Sequence, residues 1–283
     1  MTTATADTSY LVACAQTEPV LGDIEANIEV HRAVVRDTAA RGASLVVLPE
    51  AASAGYMFAD RAEARSLAQE VTTGPTVTAW RDLAAELGIW IAGGFTELAD
   101  GDLFNSAALV GPSGVASLYR KVHLWNAEKE IYKPGDLGFP VVETPLGRLG
   151  LMVCYDAWFP ESLRSYGLGG ADLVCAPSNY VPVPGQPPGP TMASLMCMAG
   201  AHSNQLYVAA ASRTGVERGQ GFIGSSLITD HTGWVLAGPA DDSGPTTLLA
   251  RVDPVGSRAE RSGNPFNQPL ADRRPSEYRT EEP

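Results

Sequence analysis

Short apolar runs alternate with amphipathic stretches along most of this chain. The apolar runs have the length of buried strands and are bounded by Gly, Pro or polar residues. They lie at 10–16, 45–48, 89–96, 149–153, 171–177, 205–212 and 248–253. Helical spacing, capping residues or terminal glycines predict helices at 24–41, near 61–70, at 77–87, after Pro160 and at 191–204. Turn residues predict two hairpins, one pairing 105–110 with 115–123 and one pairing 225–229 with 234–237.

This order of elements favours an α/β fold. Strand–helix–strand units build parallel pairs through right-handed crossovers, and two helix layers outside two sheets would bury this many apolar strands. From residue 263 onward the chain is polar and rich in proline, which is typical of a tail. We therefore expect a single domain over residues 1–262 and a C-terminal polar tail over 263–283.

Composition narrows the class of protein. Hydrophobic residues make up 45% of the chain, and the formal charge is 20 − 32 = −12, which argues against binding nucleic acid or an anionic membrane surface. The four cysteines form no C-x-x-C pair, so neither a zinc site nor a disulfide framework is indicated. Residues 1–9 lack the layout of a signal peptide, and no apolar stretch is long enough to span a membrane. These features predict a cytoplasmic protein.

The segment around Cys154 is the most informative stretch. An apolar strand at 149–153 stops at this cysteine, and a helix begins soon afterwards at Pro160 and Glu161. A strand-to-helix turn of this kind exposes one side chain and directs backbone N–H groups beside it, as it does for nucleophiles in other hydrolases. The alternative is a small buried hydrophobic residue, because free cysteine is among the most buried residue types.

Two other strand ends carry reactive side chains, Glu50 and Lys121. Taken singly, each is explained equally well as a solvated surface charge. Taken with Cys154 they make a mechanism, because a thiol with a pKa of about 8.5 needs a base or a positive neighbour to attack at neutral pH. A carboxylate can accept the thiol proton and an ammonium can stabilise an oxyanion, whereas the four histidines offer no Cys–His–Asn arrangement.

Several segments together resemble the carbon–nitrogen hydrolase family, or nitrilase superfamily, over about residues 11–252. They are Leu-Pro-Glu-Ala-Ala-Ser-Ala-Gly-Tyr (48–56), Tyr-Arg-Lys-Val-His-Leu (119–124), Glu-Lys-Glu-Ile-Tyr-Lys-Pro-Gly (128–135), Cys-Tyr-Asp-Ala-Trp-Phe-Pro-Glu (154–161), Gly-Ala-Asp-Leu-Val-Cys-Ala-Pro-Ser-Asn-Tyr (170–180) and Gly-Phe-Ile-Gly-Ser-Ser-Leu-Ile-Thr-Asp (221–230).

The resemblance implies a role for each reactive residue. Cys154 would be the nucleophile, Glu50 the general base and Lys121 the oxyanion stabiliser. Glu128 would be a second glutamate that positions substrate and could share in proton transfer. The backbone N–H of Tyr155 would complete the oxyanion hole. The resemblance also implies a four-layer α-β-β-α sandwich and neither a metal nor an organic cofactor. It implies a homodimer, formed through the helix after Cys154 and neighbouring surfaces, or a higher homo-oligomer.

The branch of the family sets the expected substrate. Nitrilases tend to carry Cys-Trp-Glu at the nucleophile, whereas this chain has Cys154-Tyr155-Asp156 and resembles an amidase. Ala157 and Trp158 stand where an arginine for a substrate carboxylate is often found. We therefore expect a small neutral carboxamide to be hydrolysed to the acid and ammonia through a thioester. The alternatives are an N-carbamoyl amine, a nitrile, or a non-catalytic member of the family that only binds its ligand.

Candidate substrate-binding residues come from the same segments. Besides Tyr155 and Trp158, the residues Tyr56 and Asn179 are candidates to line the pocket. Core packing would explain the aromatic residues among them equally well.

Overall fold

Strands and helices alternate in the computed structural model, which describes residues 7–262, 264 and 266–279. The strands are β1 (Tyr10–Gln16), β2 (Ala43–Val47), β3 (Trp90–Ala99), β4 (Asp102–Gly111), β5 (Gly114–Arg120), β6 (Val141–Thr144), β7 (Gly147–Leu151), β8 (Leu173–Ser178), β9 (Tyr207–Ser212), β10 (Val216–Glu217), β11 (Gln220–Gly221), β12 (Leu227–Thr229), β13 (Val235–Ala237) and β14 (Thr246–Val252). The α-helices are α1 (Ile24–Ala40), α2 (Arg61–Leu67), α3 (Pro75–Leu87), α4 (Glu128–Ile131), α5 (Pro160–Leu168) and α6 (Met192–Asn204), and 3-10 turns cover Cys154–Trp158, Gly256–Ser262 and Pro275–Glu277.

Two six-stranded sheets share one design. The first has the strand order β14-β1-β2-β3-β4-β5 and the second has the order β13-β12-β9-β8-β7-β6. In each sheet three neighbouring strands are parallel, β1 to β3 in the first and β7 to β9 in the second, and the flanking strands pair antiparallel. The carboxyl ends of parallel strands gather at one edge of a sheet, which is where open α/β sheets carry their ligand sites.

The hydrophobic core lies in three layers. Between the sheets, Val12 and Leu45 of the first sheet belong to the same buried cluster as Leu149 and Leu173 of the second. On the outer face of the first sheet, α1 and α3 contribute a second cluster, and on the outer face of the second sheet α5 and α6 contribute a third. The expected four-layer α-β-β-α sandwich is confirmed. Among the described residues, no helix combines the length and the apolar character needed to cross a bilayer.

One predicted helix is too long. We expected a helix near residues 61–70, but α2 ends at Leu67 and the chain is extended at Ala68. The cause is a tertiary pairing that local sequence does not reveal: the N–H of Gln69 donates to the carbonyl of Thr96 at 2.9 Å, and Gln69 accepts from the N–H of Leu98 at 3.0 Å. Gln69 thereby forms an isolated parallel bridge with Glu97 at the margin of the first sheet.

The turn at Cys154 is more elaborate than the sequence predicts. We expected a strand over 149–153, whereas β7 ends at Leu151 and a 3-10 turn begins at Cys154. The helix that follows does begin at Pro160, where the missing N–H and the fixed φ of proline suit a first helical position. The inserted turn displaces the cysteine from the helix start, so its surroundings come from loops of both sheets.

Candidate active site

The ends of three strands from two sheets meet at this site. Glu50 lies three residues beyond the end of β2, Lys121 follows β5 directly, and Cys154 lies beyond β7. The N–H of Glu50 points to the carbonyl of Ser178 in the second sheet at 3.4 Å, so the two sheets touch at this point. The structure therefore gathers the residues that the sequence singled out one by one.

Glycines allow the backbone to close around two of these residues. A Cβ atom on Gly94 would lie 2.6 Å from the Cα of Glu50, and one on Gly135 would lie 1.9 Å from the carbonyl oxygen of Arg120. The N–H of Gly135 donates to the carbonyl of Lys121 at 2.8 Å. Neither approach leaves room for a side chain, so both glycines are required for the position of the charged residue beside them.

Glu128 is saturated with hydrogen bonds. Its Oε1 atom accepts from the Lys121 Nζ at 2.8 Å, from the Tyr56 hydroxyl at 2.7 Å and from the Asn105 Nδ2 at 3.1 Å. Its Oε2 atom accepts from the backbone N–H of Trp125 at 2.8 Å. Four donors therefore fix the position of this carboxylate.

Glu50 differs from Glu128 in having one oxygen unused. Its Oε1 atom accepts from the Lys121 Nζ at 2.7 Å and from the Asn105 Nδ2 at 2.7 Å. Its Oε2 atom is buried and has no hydrogen-bond partner among the described residues. Burial raises the pKa of this carboxyl to about 7, against the opposing effect of the Lys121 charge. Glu50 can therefore accept or release a proton near neutral pH.

Lys121 is a buried cation between two carboxylates. Burial by itself would lower the pKa of this ammonium, but the neighbouring charges of Glu128 and Glu50 outweigh burial and raise the pKa well above its ordinary value. Lys121 therefore stays protonated, and its charge is available to stabilise an anion that forms beside it.

Cys154 has a strained backbone and a protonated thiol. Its φ angle of 44° lies in the left-handed region, which non-glycine residues rarely adopt outside tight turns and functional sites. Burial raises the pKa of the thiol well above its ordinary value, and the charge of Glu50 raises it further. The positive charge of Lys121 and the nearby N–H of Asn179 act in the opposite direction. The thiol needs a base before it can attack, and Glu50 is the carboxylate that most influences it.

A single carboxylate, that of Asp156, ties two parts of the site together. Its Oδ2 atom accepts from the N–H of Val153 at 2.9 Å and from the Tyr119 hydroxyl at 2.7 Å. Its Oδ1 atom accepts from the N–H of His123 at 3.1 Å and contacts the His123 Nδ1 at 2.8 Å. Asp156 thus links the cysteine turn to the chain segment that carries the lysine.

A second buried charge pair supports Tyr56. Glu217 accepts from the N–H groups of Tyr56 and Met57 at 2.8 and 2.6 Å, and the Arg213 Nη1 donates to its other oxygen at 2.6 Å. The Arg213 guanidinium also stacks over Phe222, whose ring meets Tyr56 edge to face. This pair fixes the backbone from which the Tyr56 hydroxyl reaches Glu128.

The cysteine opens into a cavity of about 290 Å³. All four candidate substrate-binding residues, Tyr56, Tyr155, Trp158 and Asn179, line it together with Cys154. The remaining wall comes from Trp125, Tyr180 and residues 181–184, and no Asp, Glu, Lys or Arg is among the lining residues. The wall is therefore aromatic and apolar, with Asn179 as its one side-chain amide.

Sequence reasoning missed Asn105, Asp156 and Glu217. A signal existed for the first two, because Asn105 interrupts an apolar strand and Asp156 stands two residues after the cysteine. No local signal marks Glu217, whose partners Tyr56 and Met57 lie 161 and 160 residues away. Within residues 7–262, 264 and 266–279, no cluster of three or more His, Cys, Asp or Glu side chains is arranged to hold a metal ion.

Comparison with known proteins agrees with this geometry. The carbon-nitrogen hydrolase family model matches residues 11–261. A protein named nitrilase from Pyrococcus abyssi is 37% identical over 268 residues, covering 94% of this chain and 98% of that protein. An N-carbamoylputrescine amidase from Arabidopsis thaliana is 30% identical over 279 residues, covering 91% of this chain and 90% of that protein.

Solved structures share the fold. A carbon-nitrogen hydrolase from Helicobacter pylori superposes with a TM-score of 0.84 at 28% identity, covering 96% of this chain and 97% of that one. An amidase from Nesterenkonia sp. AN1 has a TM-score of 0.77 at 22% identity and covers 97% of both chains, a likeness of fold alone. The chain belongs to the carbon–nitrogen hydrolase family and is an enzyme that acts on carbon–nitrogen bonds other than peptide bonds.

Proposed function

We propose that this enzyme hydrolyses a small neutral carboxamide to the carboxylic acid and ammonia through a thioester on Cys154. The observation that carries the proposal is the division between the two glutamates. Glu128 is occupied by four donors, whereas Glu50 keeps one buried oxygen without a partner among the described residues and has a pKa of about 7. A group of this kind can take the thiol proton and later return it.

Each step then has an assigned residue. The Cys154 sulphur attacks the amide carbon while its proton passes to Glu50, and the oxyanion is stabilised by Lys121 and by the N–H of Tyr155. Collapse of the tetrahedral intermediate breaks the carbon–nitrogen bond, and the nitrogen leaves as ammonia with the proton held by Glu50. Water then gives a proton to Glu50 and attacks the thioester, and the proton returns to the sulphur as the acid departs.

Glu128 acts on Lys121 and not on the substrate proton. Its Oε1 atom is 2.8 Å from the ammonium, so it keeps the lysine charged and holds it in place. The Tyr56 hydroxyl and the Asn105 amide fix Glu128 in turn. In the absence of this carboxylate, Glu50 would be the sole anion beside a buried cation and would lose its freedom to take a proton.

The cavity sets the size and charge of the substrate. About 290 Å³ is at the low end of the range of roughly 300–1,000 Å³ for small-molecule pockets, which suits a monoamide. No charged residue lines the wall, and the carboxylates of Glu50 and Glu128 lie nearby. A neutral substrate with an apolar or aromatic body fits this environment best.

Release of ammonia from a substrate panel tests the proposal. The panel holds primary carboxamides, N-carbamoyl amines and nitriles, the last two because relatives are named N-carbamoylputrescine amidase and nitrilase. We expect the neutral carboxamides to be the best substrates. Cys154→Ala should lose turnover with its thermal unfolding unchanged, whereas the matched control Cys175→Ala, in the core between the sheets, should keep it. Turnover by Cys154→Ala, or activity on nitriles alone, would overturn the proposal.

We also propose a homodimer in the cytoplasm. The family resemblance supports the dimer, and four free cysteines, three of them buried, suit a reducing compartment. Sedimentation equilibrium of the purified protein tests the first point. A monomer at micromolar concentration would contradict it.

A further inference from the structure

The side-chain amide of Asn179 is buried in the wall of the cavity. It follows β8, is 4% exposed and lines the cavity beside Cys154. Neither its Oδ1 nor its Nδ2 atom has a hydrogen-bond partner among the described residues. Buried polar groups in proteins are almost always paired, because an unpaired one forfeits the bonds it made to water. Both ends of this amide therefore lack a partner within the described part of the chain, and a substrate in the cavity can supply one.

The position of Asn179 limits which part of a substrate it can meet. Its backbone N–H lies beside the Cys154 sulphur and favours the thiolate, which lowers the pKa of the thiol. An amide carbon poised for attack lies about 3–3.5 Å from that sulphur. A side chain as short as asparagine, starting from this point, reaches the reacting group or the atom next to it.

The reacting group itself has other partners. In the proposed mechanism its oxygen faces Lys121 and the N–H of Tyr155, and its nitrogen receives a proton from Glu50. Of the three tyrosine hydroxyls in the cavity wall, two are engaged, since Tyr56 donates to Glu128 at 2.7 Å and Tyr180 pairs with the Cys197 sulphur at 3.5 Å. Asn179 is the one side-chain amide in the described wall, and both of its ends are available to the substituent on the neighbouring carbon.

We propose that Asn179 is a specificity-determining residue that selects carboxamides carrying an uncharged hydrogen-bonding group, such as a hydroxyl, on the carbon next to the scissile carbonyl. A hydroxyl both accepts from Nδ2 and donates to Oδ1, so one group satisfies both ends of the amide. A methyl group in the same place would leave them unpaired. The inference rests on the proposed function, because it assumes that Cys154 attacks an amide in this cavity.

Lactamide and isobutyramide form a matched substrate pair, since they differ only by a hydroxyl in place of a methyl group. We expect the native enzyme to prefer lactamide by tenfold or more in kcat/KM. Asn179→Leu keeps the shape of the side chain without its hydrogen bonds and should bring the ratio of the two values near one. Asn204→Leu is the matched control. Asn204 is also a buried asparagine, it lines a different cavity, and its Oδ1 atom has no partner among the described residues. This variant should keep the native ratio of the two kcat/KM values.

The outcomes separate this inference from the proposed function. A native enzyme that hydrolyses both amides equally well would overturn the role of Asn179 and leave the amidase proposal intact. A preference that survives in Asn179→Leu would also overturn it. A native enzyme that releases ammonia from no carboxamide would overturn the proposed function, and the inference about Asn179 with it. The native preference is measured without any variant, so a misfolded Asn179→Leu protein would still leave a decisive result.

Discussion

Lys121 donates to the Oε1 atom of Glu50 at 2.7 Å, and both side chains are wholly removed from solvent. A buried ion pair of this kind gains little net stability, because desolvation of the two charges offsets their attraction. The Oε2 atom of Glu50 remains unpaired beside the pair among the described residues, which is costly in the resting protein. An arrangement that destabilises the folded protein and leaves one proton acceptor free is typical of a catalytic site.

The first prediction concerns Glu50→Gln. The amide has the shape of the carboxyl group but cannot accept the thiol proton, so kcat should fall by about 10²–10⁴, the usual contribution of a general base. The protein should stay folded, because Lys121 keeps its bond to Glu128. Initial rates of ammonia release measure the effect, with the exposed Glu25→Gln as control. A variant within a factor of three of the native rate would remove Glu50 from the mechanism.

The second prediction links activity and stability to pH through Glu50. Burial raises the pKa of its carboxyl from an ordinary value of 4.5 to about 7. Because only the carboxylate form is a base, kcat/KM should rise as the pH increases through about 7. The folded state holds a proton that the unfolded chain has already lost, so the stabilisation contributed by Glu50 is complete below pH 4.5 and disappears as the pH rises through about 7.

Urea unfolding of the native protein and of Glu50→Gln between pH 5 and pH 8 tests whether the stability contribution of Glu50 falls as the pH rises. The free energy of unfolding of the native protein should decrease relative to that of the variant as the pH rises, while activity increases over the same range. A stability difference between the native protein and the variant that stays constant from pH 5 to pH 8 would mean that the Glu50 carboxyl group is ionised throughout this range.

The third prediction concerns Asp156, which accepts from the N–H of Val153 beside the cysteine turn, from the Tyr119 hydroxyl on β5 and from the N–H of His123, and which contacts the His123 Nδ1. Asp156→Asn replaces one acceptor oxygen by a donor and cannot satisfy all of them. Because Asp156 holds Cys154 and Lys121 in their relative positions, its loss should lower kcat by about 10–100-fold with little change in KM. The exposed Asp82→Asn serves as control.

A structural role alone would give another pattern. If Asp156 only stabilised the fold, the variant would melt earlier but would keep its native kcat at temperatures below the transition. Steady-state kinetics at two temperatures, together with thermal unfolding, separate the two cases. The substitution Asp156→Glu keeps the four acceptor sites and should restore part of the lost kcat.

The sequence identified the residues that stand at strand ends and not those that support them. Cys154, Glu50 and Lys121 could be found because each stands at the end of a predicted strand, a feature of local sequence. The length of α2 could not, because Gln69 leaves the helix to pair with the first sheet. Asn105 interrupts an apolar strand, but its contact with Glu50 joins residues distant in the chain, as does the contact of Glu217 with Tyr56, and no periodicity encodes such contacts.

The fourth prediction concerns the buried pair of Arg213 and Glu217. Removing one partner leaves the other charge unpaired in the interior, which costs about 3–5 kcal/mol. Arg213→Met and Glu217→Leu should each lower the free energy of unfolding by that amount. The double variant should lose less free energy of unfolding than the two single variants lose together, because neither charge is left without its partner. Additive losses in urea unfolding would show that the two side chains do not interact.

The last prediction concerns substrate charge. Arg213 and Arg218 are both engaged and are not available for a substrate carboxylate, because Arg213 pairs with Glu217 at 2.6 Å and Arg218 pairs with Glu63. Neither arginine lines the cavity, and no Lys or Arg of the described residues is part of its wall. A carboxylate entering there would be desolvated without a partner.

Valeramide and glutaramic acid form the test pair, since a methyl group of the first is a carboxylate in the second. Lys121 is already bonded to Glu50 and Glu128, so those two carboxylates repel a third that enters the same field. We expect valeramide to exceed glutaramic acid in kcat/KM by about tenfold or more, which corresponds to about 1.4 kcal/mol. Raising the ionic strength should narrow the gap only slightly, because charges shielded from water are poorly screened by salt. If glutaramic acid were the better substrate, one of the paired arginines would have to leave its own glutamate when substrate binds, and Arg218→Met, at the more exposed of the two pairs, would identify it.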